Sequence, residues 1–172
     1  REDLPGLRVH ISTQAGIMNS EHANLFSGAD RIKIARELDK KNIESIRKNF
    51  PKEIEMFIHG ALCASVSGSC LFSSFCGGRS GNRGKCAQPC RRKYNNSFPL
   101  STKELCLIER IPEIIEMGIN SVKIEGRMRT PFYTATTTAV YRQAIDSYYR
   151  GNFKVTPEMI ERLKDAFSRG FT

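Results

Sequence analysis

Residues Leu7 to Ile11 alternate between apolar and polar side chains and read as a short strand. A helix is expected from Ser20 to Phe26, with Ser20 as N-cap after Asn19 and Gly28 closing it. Asp30 to Ala35 is a second short apolar strand, and Asp39 to Phe50 a second helix, capped by Asp39 and carrying Ile43, Ile46 and Phe50 at helical spacing. After Pro51 a third strand runs from Glu53 to His59. The strand starts near 7, 30 and 53 recur at about 23 residues, the rhythm of strand–helix units with parallel strands.

A cysteine-rich segment then breaks the pattern. Beyond it, an amphipathic helix is expected from Thr102 to Met117 with Leu105, Ile108, Ile111 and Ile115 as its stripe, although Pro112 argues for a break or restart within it. Gly118 ends that helix, and Ser121 to Ile124 is a fourth strand. A long helix from Pro131 to Tyr149 has Val140, Ala144, Ile145 and Tyr148 on one face, and a last helix spans Thr156 to Ser168 with Thr156 as N-cap. The fold class is therefore α/β, built of parallel strand–helix units. Four strands are too few for a closed eight-stranded barrel, which leaves an open sheet or a piece of a barrel.

With 172 residues the chain is expected to form a single domain, and its 40% hydrophobic content is ordinary for a globular protein. No apolar run reaches membrane-spanning length and no signal peptide is recognisable, so a cytoplasmic location is expected. The absence of an initiator Met and the immediate start of strand-like sequence suggest a part of a longer protein. A net charge of +9, from 27 Lys and Arg against 18 Asp and Glu, favours an anionic partner such as nucleic acid, a phosphorylated ligand or an acidic metabolite.

Six cysteines add candidate chemistry: Cys63, Cys70, Cys76, Cys86, Cys90 and Cys106. Without a secretory signal, reduced metal-binding thiols are favoured over disulfides. Cys63, Cys70, Cys86 and Cys90 give C-x6-C and C-x3-C spacings with no C-x2-C knuckle, which favours an iron–sulfur cluster over structural zinc and leaves zinc as the alternative. Cys76 lies among Leu71, Phe72 and Phe75 and reads as a small buried hydrophobe, whereas Cys106 is either a substitute ligand for Cys90 or a core residue.

Working groups in parallel α/β folds gather past the carboxyl ends of the strands. Here those positions hold Ser12 to Gln14, Arg36 and Glu37, His59 leading to Cys63, and Glu125 to Arg127. From Arg79 to Lys93 six basic side chains occur with no acidic one, among Gly77, Gly78, Gly81 and Gly84, a composition able to cradle phosphate. Aromatic residues are sparse there, with Phe75 and Tyr94 at its margins, so base stacking is only weakly suggested. The three histidines fit no H-E-x-x-H, and no G-x-S-x-G occurs.

The runs His59 to Cys63, Ser67 to Cys70, Gly77 to Gly84, Cys86 to Arg91 and Val122 to Met128, with HISTQA at His10 and ARELD at Ala35, resemble peptidase family U32, the collagenase-like proteases. The resemblance implies a fragment of a TIM-like barrel with an inserted Cys-rich loop at 63–93 and C-terminal helices over 131–168. It also implies a 4Fe-4S cluster on Cys63, Cys70, Cys86 and Cys90, with Cys106 as substitute for the last. Candidate catalytic residues are His59, Glu125 and Arg127. Candidate substrate-binding residues are Arg36, Glu37, Arg79, Asn82, Arg83 and Arg91. Since family members act on tRNA, rRNA or ubiquinone precursors, the reading preferred here is an iron–sulfur-dependent RNA hydroxylation enzyme. The alternatives are a collagenase-like peptidase and a zinc-stabilised nucleic-acid-binding module.

Overall fold

The computed structural model describes residues 5–67 and 69–172. They group into two compact units, one running up to Met56 and including Cys63–Ser101 and Ile119–Ser121, the other made of Phe57–Leu62, Thr102–Gly118 and Val122–Thr172. The fold is mixed α/β with parallel strands.

In the first unit, β1 (His10–Ile11), β2 (Arg31–Lys33) and the start of β3 (Glu53–Ala61) pair in parallel. Two helices return the chain between them, α1 (Ser20–Asn24) and α2 (Lys40–Asn49). Asn19, rather than Ser20, caps α1, its side chain accepting from the His22 amide at 2.7 Å. Asp39 caps α2 as the sequence predicts, accepting from the Asn42 amide at 2.8 Å. Ile17, Ile32, Ile34, Ile46, Phe50 and Ile54 are fully buried here.

The second strand, expected to be apolar, is not so throughout. In the β2–β3 register Ile32 faces Ile54, while the flanking positions pair Arg31 with Glu53 and Lys33 with Glu55. Alternation places the charged side chains on the opposite face from the isoleucines. There Arg31 bridges Glu53 at 2.6 Å and Glu55 at 3.2 Å, and Arg8 reaches Glu53 at 2.8 Å. The hydrogen bonds from Arg8 and Arg31 hold the Glu53 carboxyl below the usual range, and Glu53 in turn raises Arg31.

The second unit departs most from expectation. Residues Glu104–Cys106 form a strand, β4, antiparallel to the end of β3, with His59 opposite Cys106 and Ala61 opposite Glu104. Helix α4 begins only at Ile111 and ends at Glu116. Pro112 lies in its first turn, where the missing amide hydrogen costs nothing, so the break at this proline sets the start of the helix. The buried stripe is Ile108, Ile111 and Ile114 in place of the expected Leu105 and Ile115.

Strand β5 (Ser121–Ile124) runs beside β3 in the same direction, as the bond from the Glu125 amide to the His59 carbonyl at 2.8 Å indicates. Helices α5 (Pro131–Tyr149) and α6 (Pro157–Ala166) pack on each other and begin where the sequence places them, capped by Thr130 and Thr156. Val140, Ala144, Met159 and Leu163 are buried, as are Tyr133, Thr137 and Tyr141 at i, i+4, i+8 along α5.

Candidate functional site

The cysteine segment belongs to the first unit and is more ordered than a loop. Leu71 leads into a six-residue helix, α3 (Phe72–Gly77), and Pro89–Arg91 forms a 3-10 turn. Gly78 ends α3 with φ of 65°, a left-handed conformation that glycine adopts without a Cβ penalty. The Ser73 hydroxyl, buried beneath α3, accepts from the Ala87 amide at 2.9 Å and ties the returning strand of the loop to the helix.

Cys63, Cys70 and Cys90 line a cavity of about 240 Å³ together with Ser65, Ser69 and Phe72. Cys86 is not part of that lining; its Sγ accepts from the Gln88 amide at 3.3 Å. Burial pushes the Cys90 thiol up; Arg91 opposes this, while Cys63, Cys86 and Cys70 reinforce it. The sequence names four thiols as one ligand set, and three of them, Cys63, Cys70 and Cys90, line this cavity.

It does not correctly predict what they hold. Among the described residues, no group of three or more His, Cys, Asp or Glu side chains is placed to bind a metal ion, which overturns both the expected 4Fe-4S cluster and the zinc alternative. Cys63 is exposed, and the Cys86 sulfur, outside the cavity lining, accepts from a backbone amide. Cys76 also differs from expectation, being exposed beside an exposed Phe75.

The other first-unit candidates lie in this segment or, for Arg36 and Glu37, bond to it. Glu37 accepts from the Ser67 amide at 2.6 Å and from its hydroxyl at 2.7 Å. Burial works to raise this carboxyl, but the Ser67 bonds outweigh it and hold it below the usual range. The Arg36 amide also points to the Ser67 hydroxyl, at 3.5 Å. Arg79 Nε donates to the Lys85 carbonyl at 3.0 Å, closing the basic loop, and the Asn82 carbonyl accepts from Gln14 Nε2 at 3.0 Å. Arg83 is exposed, and Arg91 is half-buried with a 3.3 Å bond to the Ser101 hydroxyl.

His59, Glu125, Arg127 and Cys106 belong to the second unit. His59 lies inside β3, not beyond its end, and is 1% exposed. Its ring packs among Tyr133, Tyr141 and Phe171, with centroids 5.4 Å from Tyr141 and 5.5 Å from Phe171. Nδ1 is 3.3 Å from the Tyr141 hydroxyl, which donates to the Ile58 carbonyl at 2.9 Å. Burial, with the positive charge of Arg129 as the smaller cause, lowers His59 from its ordinary 6.5 to about 4. Burial raises Tyr133 to about 12 and raises Tyr141 further still, so both hydroxyls stay protonated.

Cys106, which falls within the helix expected from Thr102, sits on β4 with its sulfur 3.9 Å from the Tyr141 hydroxyl, and burial raises its thiol. Glu125 caps its own turn, Oε1 accepting from the Arg127 amide at 3.0 Å, while its carbonyl accepts from the Tyr133 hydroxyl at 2.9 Å. Arg127 is exposed, and Met128 beside it adopts a φ of 63°, uncommon for a bulky residue.

A pH dependence follows from His59. Above pH 6.5 the ring is neutral in both folded and unfolded chains, and its full contribution to stability is present. Between 6.5 and about 4 only the unfolded chain takes up the proton, so stability falls as the pH falls, by on the order of 3 kcal/mol in all. Urea unfolding at pH 7 and pH 5 measures this loss, and His59→Gln should flatten it.

The sequence reading missed the buried pairing of Glu104 with Arg129 and Arg169, and the Tyr133–Thr137–Tyr141 face. The second was visible as a period of four in α5.

The description "Peptidase family U32" matches residues 1–172. The chain belongs to peptidase family U32. Among similar U32 proteins, "Uncharacterized protease MJ0090" of Methanocaldococcus jannaschii is 40% identical over 96% of this chain and 46% of its own length. "tRNA hydroxylation protein P1" of Bacillus subtilis is 38% identical over 98% of this chain and 45% of its own, and a "Collagenase" of Porphyromonas gingivalis is 37% identical over 96% and 47%. The chain thus spans about half the length of the curated U32 relatives it matches. Family membership is consistent with peptidase-type enzymes and with relatives named for tRNA hydroxylation. No solved structure matches the chain. Among the described residues, no helix is long and apolar enough to cross a membrane.

Proposed function

We propose that this U32 protein is an RNA hydroxylation enzyme, modifying a base of tRNA or rRNA in the cytoplasm, with its strand–helix units forming part of a TIM-like barrel. The observation that carries the reading is the basic segment Arg79 to Lys93, free of acidic residues and tied by the Ala87–Ser73 bond to the helix that borders the thiol-lined cavity. A polyanion is attracted by such a loop and held close to the pocket it borders.

In this reading Arg79, Arg83 and Arg91 meet backbone phosphates. Arg36 and Glu37, bonded to Ser67, and Asn82, bonded to Gln14, take part in holding the substrate, and a small anionic co-substrate is held by the same cationic groups. Glu125 and Arg127, at the end of β5, contact substrate. His59 is a positioning residue, because it is enclosed and neutral at physiological pH and its carbonyl anchors the Glu125 amide.

The U32 relatives named collagenase favour a second reading, proteolysis. A thiol nucleophile for it would have to be activated, whereas burial raises the Cys90 thiol and so favours its protonated form. Comparing nucleosides of tRNA and rRNA from cells with and without the gene decides between the two readings. Loss of one hydroxylated nucleoside is expected.

A further inference from the structure

The least expected surface feature is Phe75, which is 87% exposed although the sequence around it reads as a buried apolar stretch. It stands one helical turn after Leu71, itself 58% exposed, and the Phe75 amide bonds the Leu71 carbonyl at 3.0 Å, so the two side chains share one face. Leu71 also lines the thiol cavity. An aromatic ring is thus presented to solvent next to a pocket wall.

The basic loop leaves α3 directly. Gly78 turns the chain, Arg79 closes onto the Lys85 carbonyl at 3.0 Å, and the Lys85 amide donates to the Ser80 carbonyl at 2.9 Å. Gln14 holds the Asn82 carbonyl at 3.0 Å, and Ser73 holds Ala87. Phe75, Arg79, Arg83 and Lys85 are all exposed on this one segment, whose backbone is fixed at several points.

We propose that this face of α3 and its loop is a docking surface for single-stranded RNA, with an unpaired base stacked on Phe75 and phosphates on Arg79, Arg83 and Lys85. Charge complementarity selects the occupant, since no acidic side chain interrupts the run from Arg79 to Lys93. An exposed ring on the same segment as cations is the combination that binds single strands without reading their sequence. A duplex, whose bases are already stacked, cannot use the ring. This inference rests on the RNA reading above and adds to it the strandedness of the substrate and a residue that senses it.

The test uses the full-length protein and fluorescence anisotropy with an oligouridylate of about 12 nucleotides, a span within the range of single-strand binding sites, and with an RNA duplex of equal length. Phe75→Ala is expected to weaken oligouridylate binding about 10-fold or more, Phe75→Trp to retain it, and duplex binding to change little. Replacing Arg83 and Lys85 with Ala should weaken both probes and lower the salt dependence by about two counterions. Because Phe75 is solvent-exposed, its variants are expected to unfold at the wild-type temperature, which thermal melts check.

Unchanged oligouridylate affinity in Phe75→Ala, or equal losses for duplex and single strand, overturns the inference. So does a loss of gelatin binding with RNA binding intact, which would assign the ring to a peptide. If the gene-dependent nucleoside persists while any of these occurs, the RNA reading stands and only the docking surface falls. If no nucleoside depends on the gene and the wild type binds neither probe, both fall.

Discussion

Gly60→Ala is expected to destabilise the protein by roughly 3 kcal/mol or more, a loss large enough to appear as poor solubility or a steep fall in the denaturation midpoint. Gly60 lies within β3 at a φ of +103°, a conformation that side chains rarely adopt. A Cβ there would stand 2.5 Å from the Glu125 carbonyl oxygen and 3.0 Å from the Tyr133 hydroxyl. Both obstacles are held in place, because that same hydroxyl donates to that carbonyl at 2.9 Å and the Glu125 amide is bonded to His59. The missing side chain is what lets the turn after β5 approach β3. Accommodating alanine means pushing away the Glu125–Gly126–Arg127 turn, so stability should suffer. Urea unfolding measures the effect, and an alanine variant within about 1 kcal/mol of wild type would contradict this account of the turn.

Glu104→Ala is expected to cost about 3 kcal/mol. Glu104 is 1% exposed, and its carboxylate meets Arg169 at 2.8 Å and Arg129 at 3.5 Å. The Arg129 guanidinium lies 3.4 Å from the centre of the Phe167 ring, with Arg169 at 4.7 Å from the same ring. Desolvating the carboxylate is costly, so the pair as a whole adds little over an apolar substitute. Removing the anion alone leaves two positive groups crowded on one aromatic ring, and that is where the large penalty arises. The double variant Glu104→Ala, Arg169→Ala should recover part of the loss, and a double-mutant cycle in urea unfolding measures the coupling. Additive losses would show that the two residues act independently.

Local signals in the sequence were sufficient wherever the structure is local. Asp39, Thr130 and Thr156 cap the helices at which they stand, and Pro131 and Pro157 occupy first turns, because capping depends on neighbours a few residues away. The residues of β4 were misread because Leu105 and Ile108 satisfy helical spacing equally well. What makes Glu104–Cys106 a strand is the free edge of β3 some 45 residues earlier, recorded in the His59–Cys106 register. His59 looked like a rim residue for a similar reason: its enclosure comes from Tyr133, Tyr141 and Phe171, all distant in sequence.

The site was legible as a neighbourhood and illegible as a geometry. Spacing groups Cys63, Cys70, Cys86 and Cys90 as one set, of which Cys63, Cys70 and Cys90 line one cavity. Where each sulfur points depends on backbone amides such as that of Gln88 and on the path of α3, neither of which spacing encodes. The exposure of Phe75 was hidden for the same reason. An apolar run of Leu71, Phe72 and Phe75 suggests burial, but a six-residue helix buries one side, and here that side is Ser73.

The central claim, that this U32 protein hydroxylates RNA, is tested most directly by mass spectrometry of nucleosides from purified tRNA and rRNA. Cells lacking the gene are compared with cells carrying it and with cells in which Arg79, Arg83 and Lys85 are replaced by alanine. The account predicts one nucleoside, heavier by a single oxygen atom than its precursor, that disappears with the gene and is reduced in the triple variant. Identical nucleoside profiles in all three strains, together with gelatin cleavage by the purified full-length protein, would contradict it.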